Sequence, residues 1–147
     1  MLTKLSGNYR FILENDPAVD HDNWEDIAKK KYFVDDFHTP PPLKPGESAT
    51  VFVLQPLRGK AMRAAVEQMD AFEDIVHAFE SHAFTEFVCA HGIQSIENFG
   101  DLSIVIEDGP YGPRLDQDTM DDIFPFVPGL DALLAGTLMS LSRLRFT

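Results

Sequence analysis

Thr50-Val51-Phe52-Val53-Leu54-Gln55-Pro56-Leu57, followed by Met62, Ala65, Val66, Met69, Phe72, Val76 and Phe79, is the stretch that decides the fold. Residues 50–54 are a run of β-branched and aromatic side chains. They read as a buried strand, and Pro56 closes it. From Leu57 onward the apolar residues recur at intervals of three and four, the helical period. This predicts one long helix from about Leu57 to Glu80. Phe52, Leu54, Val66, Met69, Phe72, Val76 and Phe87, from the strand, this helix and the stretch after it, are expected to be mostly buried. The change of period marks a β-rich front segment, 1–56, feeding a mainly helical remainder, 57–147. The expected class is an α+β fold in a single domain.

Working toward the N-terminus, residues 39–46 carry Pro40, Pro41, Pro42 and Pro45. Fixed proline φ makes this loop extended and semi-rigid. Lys29-Lys30-Lys31 is a short basic run suited to the C-terminal end of a helix. That helix is predicted through Trp24, Ile27 and Ala28, capped by Asp22 or Asn23. Tyr32-Phe33-Val34 has the composition of a short strand. Asn15-Asp16-Pro17 is a turn signal, and Tyr9–Leu13 before it reads as a strand.

Working toward the C-terminus, Ser81-His82 is expected to kink or end the long helix. A further helical stretch with Phe84, Phe87 and Val88 stops at Gly92. Leu102-Ser103-Ile104-Val105-Ile106 has strand composition, and Gly109–Pro113 reads as a loop. Asp118 or Thr119 is the expected cap of a short acidic helix toward Phe124. A last helix starts near Pro128. It carries Leu130, Leu133, Leu134, Leu138, Met139 and Leu141, broken by a single acid, Asp131. A terminal helix apolar around so much of its circumference is either buried or covered by a partner. Leu130, Leu133, Leu134, Leu138 and Leu141 are therefore candidate partner-binding residues, with possible self-association of the chain.

With 147 residues the chain is long enough to bury a core, and 44% hydrophobic content is too rich for disorder. Charge is uneven. Residues 1–63 balance nine Lys/Arg against nine Asp/Glu, whereas residues 64–142 set Arg114 alone against fifteen acids. Such a surface repels phosphate backbones, so direct nucleic-acid binding is not expected. It favours a basic partner. Asp116, Asp118, Asp121 and Asp122 form an acidic cluster in this half and are candidate partner-binding residues. Read as a calcium loop they fail, because Met120 falls on a ligand position and no central Gly is present. No apolar run has the length of a membrane span. The N-terminus has no apolar signal core.

Chemistry-bearing motifs are sparse. His77, His82, Cys89 and His91 follow one another at spacings of five, seven and two, which match no zinc pattern. Asp20-His21-Asp22 has no nucleophile motif beside it. Cys89 reads as a small buried hydrophobe. No catalytic residue, cofactor or metal is expected.

Two further stretches carry a resemblance. They are Lys44-Pro45-Gly46-Glu47-Ser48 leading into the 50–57 segment, and Phe87-Val88-Cys89-Ala90-His91-Gly92-Ile93-Gln94-Ser95-Ile96-Glu97-Asn98-Phe99. With the closing Leu138–Leu144 helix, this layout over residues 43–144 resembles small morphogenesis proteins of tailed phages. Above all it resembles the tail assembly chaperones of long-tailed phages. The resemblance implies a non-enzymatic protein of the host cytoplasm, or of the virion, that holds the tape measure protein during assembly. A structural virion component, at a head–tail junction or on a capsid, is the alternative it implies. A small regulatory binder or enzyme using the His and Asp groups is the alternative the residues leave open.

Overall fold

A computed structural model describes residues 1–4, 7–23, 41–100 and 102–146. The expected helix through Trp24 and Ala28, the Lys29–Lys31 run, the Tyr32–Val34 strand and the start of the proline loop lie outside the described residues. The described chain is a mixed α+β fold, with strands leading and helices following. Three short antiparallel sheets and five α-helices make it up among the described residues.

The central sheet joins β2 (Tyr9–Ile12), β3 (Val51–Leu54) and β4 (Ile93–Glu97) in the order β2-β3-β4. Phe11 pairs with Phe52, and Phe52 with Ile96, so large apolar side chains stack across the sheet. A register shift at Val53/Leu54 lets β3 turn inward at its end. β1 (Leu2–Lys4) pairs with β7 (Leu144–Phe146), and β5 (Ile106–Gly109) forms a hairpin with β6 (Gly112–Leu115). The back half is therefore less uniformly helical than its composition suggests: it supplies β4, β5, β6 and β7.

The predicted long helix is two helices. α1 spans Gly59–Asp70 and α2 spans Ile75–Glu80, with a bend between. The cause is local. Asp70, Glu73 and Asp74 crowd the negative end of α1, where acids oppose the helix dipole. The last turn tightens, with Ala71 N–H on Gln68 O and Phe72 N–H on Met69 O. Asp74 then caps the next helix by accepting the His77 N–H at 2.9 Å. Ser81 separates α2 from α3 (His82–Gly92), which ends at the expected glycine.

Beyond the sheet, residues 102–105 are irregular rather than strand, and Gly109–Pro113 is a tight hairpin tip rather than an open loop. α4 (Gln117–Ile123) is capped by Asp116, not by Asp118 or Thr119. α5 spans Leu130–Ser142; its cap is Gly129 at φ +81, a left-handed backbone that side chains disfavour.

The core gathers Phe11, Phe52, Leu54 and Leu57 from the sheet side with Phe84, Ile93, Leu115, Met120, Ile123, Leu134 and Leu138. α5 packs chiefly on α3 and also touches α2. Gly92 permits the close approach, since an added Cβ would stand 2.5 Å from Leu138 Cδ1. The end of α5 is tied to the exit of β3: Ser142 Oγ accepts the buried Leu57 N–H at 2.8 Å and donates to Leu138 O at 2.6 Å. At the front, Asp16 accepts from the N–H groups of Ala18 and Thr50, both at 3.0 Å, and so pins the turn after β2 to the start of β3. Pro42 and Lys44 of the proline loop hydrogen-bond to Asp20 and Ala18.

Of the predicted core set, Phe52 and Leu54 are buried, while Val66, Met69, Phe72 and Phe87 are half-buried. Val76 is exposed, because the bend before α2 rotates it away from the core.

Candidate interaction surface

The structure corrects the expected role of the last helix. Leu130, Leu134, Leu138 and Leu141 are buried within this chain, against α3 and its neighbours. They are core residues and leave no docking face. Leu133 alone of the five is substantially exposed, and it lines a 690 Å³ hollow with Leu13, His21, Val127 and Leu130. The apolar circumference of α5 is explained by burial.

The acidic candidates divide as well. Asp116 is half-buried and structural: its carboxylate accepts the Thr119 N–H at 2.8 Å, and the Thr119 contact holds its pKa below the usual carboxylate range. Asp118, Asp121 and Asp122 are exposed on α4, with Asp121 accepting from Gln117 at 2.9 Å.

Sequence periodicity missed the exposed apolar face at α2. Ile75 is 59% exposed and Val76 61%, both beta-branched aliphatic side chains left in water. Phe72 and Phe79, one turn to either side in sequence, are half-buried and pack on the core, Phe79 edge-on to Phe84. Asp70, Glu73, Asp74 and Glu80 flank this pair and are all exposed. No Lys or Arg occurs between Arg63 and Arg114 to balance them. The usable sequence signal was the acid density at 70, 73 and 74, which interrupts the helix just where the apolar stripe continues.

A second feature joins residues 49 apart. Asp131, buried in the first turn of α5, accepts from His82 Nδ1 at 2.7 Å and from Thr85 Oγ1 at 2.6 Å. The Cys89 thiol donates to the Asp131 carbonyl at 3.4 Å. Burial pushes the Asp131 carboxyl upward, but the Thr85 and His82 bonds outweigh it and the net direction is down. The positive end of α5 favours the same charge. The Asp131 hydrogen bond raises His82 above the ordinary histidine range, with Glu86 adding to it. His82 is itself exposed and lies at a 340 Å³ groove with Glu86, Phe124, Pro125 and Pro128. Such a pair can orient an imidazole as a base or hold two helices together. Thr85 is committed to Asp131 as a donor, and Cys89 is fully buried with its thiol pushed well up by desolvation.

His77 and His91 serve separate places. His77 pairs with Asp74 on α2 at 2.8 Å. His91 is buried, donates from Nδ1 to Phe87 O at 2.8 Å and stacks beside Phe87; burial lowers its pKa. Among the described residues, no three His, Cys, Asp or Glu side chains gather as a metal site. Nor is any single described helix long and apolar enough to cross a membrane. Comparison with protein-family models, curated proteins and solved structures returned no match.

Proposed function

We propose that this chain is a non-enzymatic phage assembly protein, and within that class a tail assembly chaperone. It holds a tape measure protein in the host cytoplasm through apolar and acidic helical surfaces. The observation that carries the reading is the exposed Ile75–Val76 pair, set among unbalanced carboxylates on a helix that the core holds in place. Water-exposed aliphatic side chains in a fixed helical frame suit a partner's apolar face. The layout of residues 43–144 supplies the phage context.

The experiment is co-expression with the tape measure protein encoded in the same genome. The expected result is soluble tape measure protein co-eluting with the chain, and loss of both with Ile75→Asp and Val76→Asp. An insoluble or unassociated tape measure protein beside soluble wild-type chain contradicts the chaperone reading. Mass spectrometry of purified particles separates the structural alternative, since a virion component remains in the particle.

A second reading rests on the His82–Asp131 pair at the 340 Å³ groove. An imidazole oriented by a carboxylate at a groove mouth is the arrangement of a general base acting on a bound small molecule. Ligand-induced shifts of the His82 ring resonances on screening small polar metabolites would favour this reading over the assembly role.

A further inference from the structure

We propose that the exposed face of α2 docks a basic amphipathic helix of the partner. Its apolar side lies on Ile75 and Val76, and its Lys and Arg side chains meet the flanking carboxylates. This inference rests on the assembly-protein reading and names the chemistry of the partner segment.

The geometry of α2 sets the apolar requirement. Ile75 and Val76 are exposed and adjacent on a six-residue helix that rests on the core through buried Ala78 and half-buried Phe79. Phe79 is half-buried at the i+3 position from Val76, and Phe72 is half-buried in the bend just before the helix. The result is a short apolar stripe that one or two turns of a partner helix can cover, with anchors read at helical spacing. α2 itself is held by the Asp74 cap and by packing on α3 and α5, so the stripe is presented in a fixed orientation.

The charge requirement follows from the rim. Asp70, Glu73 and Glu80 are exposed, without a Lys or Arg anywhere in residues 64–113. Asp74 is shared with His77 and is the least available of the four. A second copy of this chain would bring the same carboxylates face to face, and the net charge of −12 adds to that repulsion. Nucleic acid and anionic lipid headgroups meet the same field. A helix with Lys or Arg bordering an apolar stripe satisfies both requirements at once, the apolar contact supplying affinity and the charges supplying selection and on-rate.

The test uses the full isotope-labelled chain and two synthetic helical peptides. Both carry a leucine stripe; one has Lys on its flanks and the other has Glu. The Lys peptide is expected to bind, with NMR shift changes centred on residues 73–80. Its Kd should rise at least about tenfold as salt is raised from about 50 to about 500 mM, because screening shortens the reach of exposed charges. Ile75→Ser with Val76→Ser should weaken it by a similar factor. Asp121→Asn with Asp122→Asn should leave it within about twofold. Equal binding of both peptides, shifts spread over α4 instead of α2, or dimerisation of the free chain through α2 would overturn the proposal. Co-purification with the tape measure protein is scored separately. If that succeeds while the Lys peptide fails to map to α2, the basic-helix inference falls and the chaperone reading stands.

Discussion

Asp74 accepts the His77 N–H at 2.9 Å and its ring Nδ1 contact at 2.8 Å, and this pair of bonds starts α2. Where α2 starts decides which way Ile75 and Val76 point. The Asp74→Ala variant is expected to destabilise α2, because it removes the N-cap. The loss should be local. Amide hydrogen exchange across residues 75–80 should speed up while α5 stays protected. Uniform acceleration in both helices would mean that α2 is not an independently frayed unit.

The His82–Asp131 bond gives stability a defined pH dependence. The folded pKa of His82 is raised, so its contribution is complete below the ordinary histidine value of about 6.5 and is lost as pH climbs through the raised folded value. The folded pKa of Asp131 is lowered, so its contribution is present above the ordinary carboxylate value of about 4 and is lost as pH falls through the folded value. Between these limits the pair is intact. The melting temperature of wild type relative to His82→Gln should therefore be highest near pH 5–6, and the difference should shrink as pH rises beyond the raised histidine value. A difference that grows with pH would contradict the assignment.

Gly92 lies directly against the Leu138 side chain where α3 packs on α5. Gly92→Ala gains helix propensity but places its Cβ 2.5 Å from Leu138 Cδ1. Overpacking should win, costing about 1–3 kcal/mol in urea denaturation. In a Leu138→Ala background the same change should cost clearly less, since the clashing atoms are gone. Full additivity would place the strain elsewhere.

Leu133 and Leu134 are neighbours in sequence with opposite surroundings, 43% and 0% exposed. Leu134→Asp buries a charge without a partner and should unfold the chain or cost more than about 4 kcal/mol. Leu133→Asp should cost under about 1 kcal/mol. Circular dichroism melts of the two purified variants compare them directly. A folded Leu134→Asp protein would reopen a docking role for α5.

The sequence made the central strand legible because Val51–Leu54 combines β-branched and large apolar side chains and is bounded by Pro56. The Ser81 break and the Gly92 stop were legible from short-range chemistry, whereas the last helix, expected to reach Leu144, ends at Ser142 and Leu144 enters β7. The bend at 71–74 was not read, although its cause, three acids at the negative end of a helix, was present. β1 and β7 pair residues from the two chain ends, and no local pattern announces such a contact. The His82–Asp131 cluster was invisible for the same reason, although one acid in an otherwise apolar helix was its trace. The apolar girth of α5 was read correctly as buried-or-covered. Sequence could not choose between these, because the choice depends on how closely Gly92 lets α3 approach.

The central claim is that Ile75 and Val76 are a docking face rather than surface left over from folding. Both are exposed, so Ile75→Asp with Val76→Asp should leave the melting temperature within a few degrees of wild type, consistent with the small effect of surface substitutions. Calorimetric titration of each purified chain with the tape measure protein of the same genome is the direct measurement. The account predicts saturable binding by wild type and at least about a hundredfold weaker binding by the double variant, the loss expected when anchor residues are removed. Equal affinity of the two folded chains would contradict it.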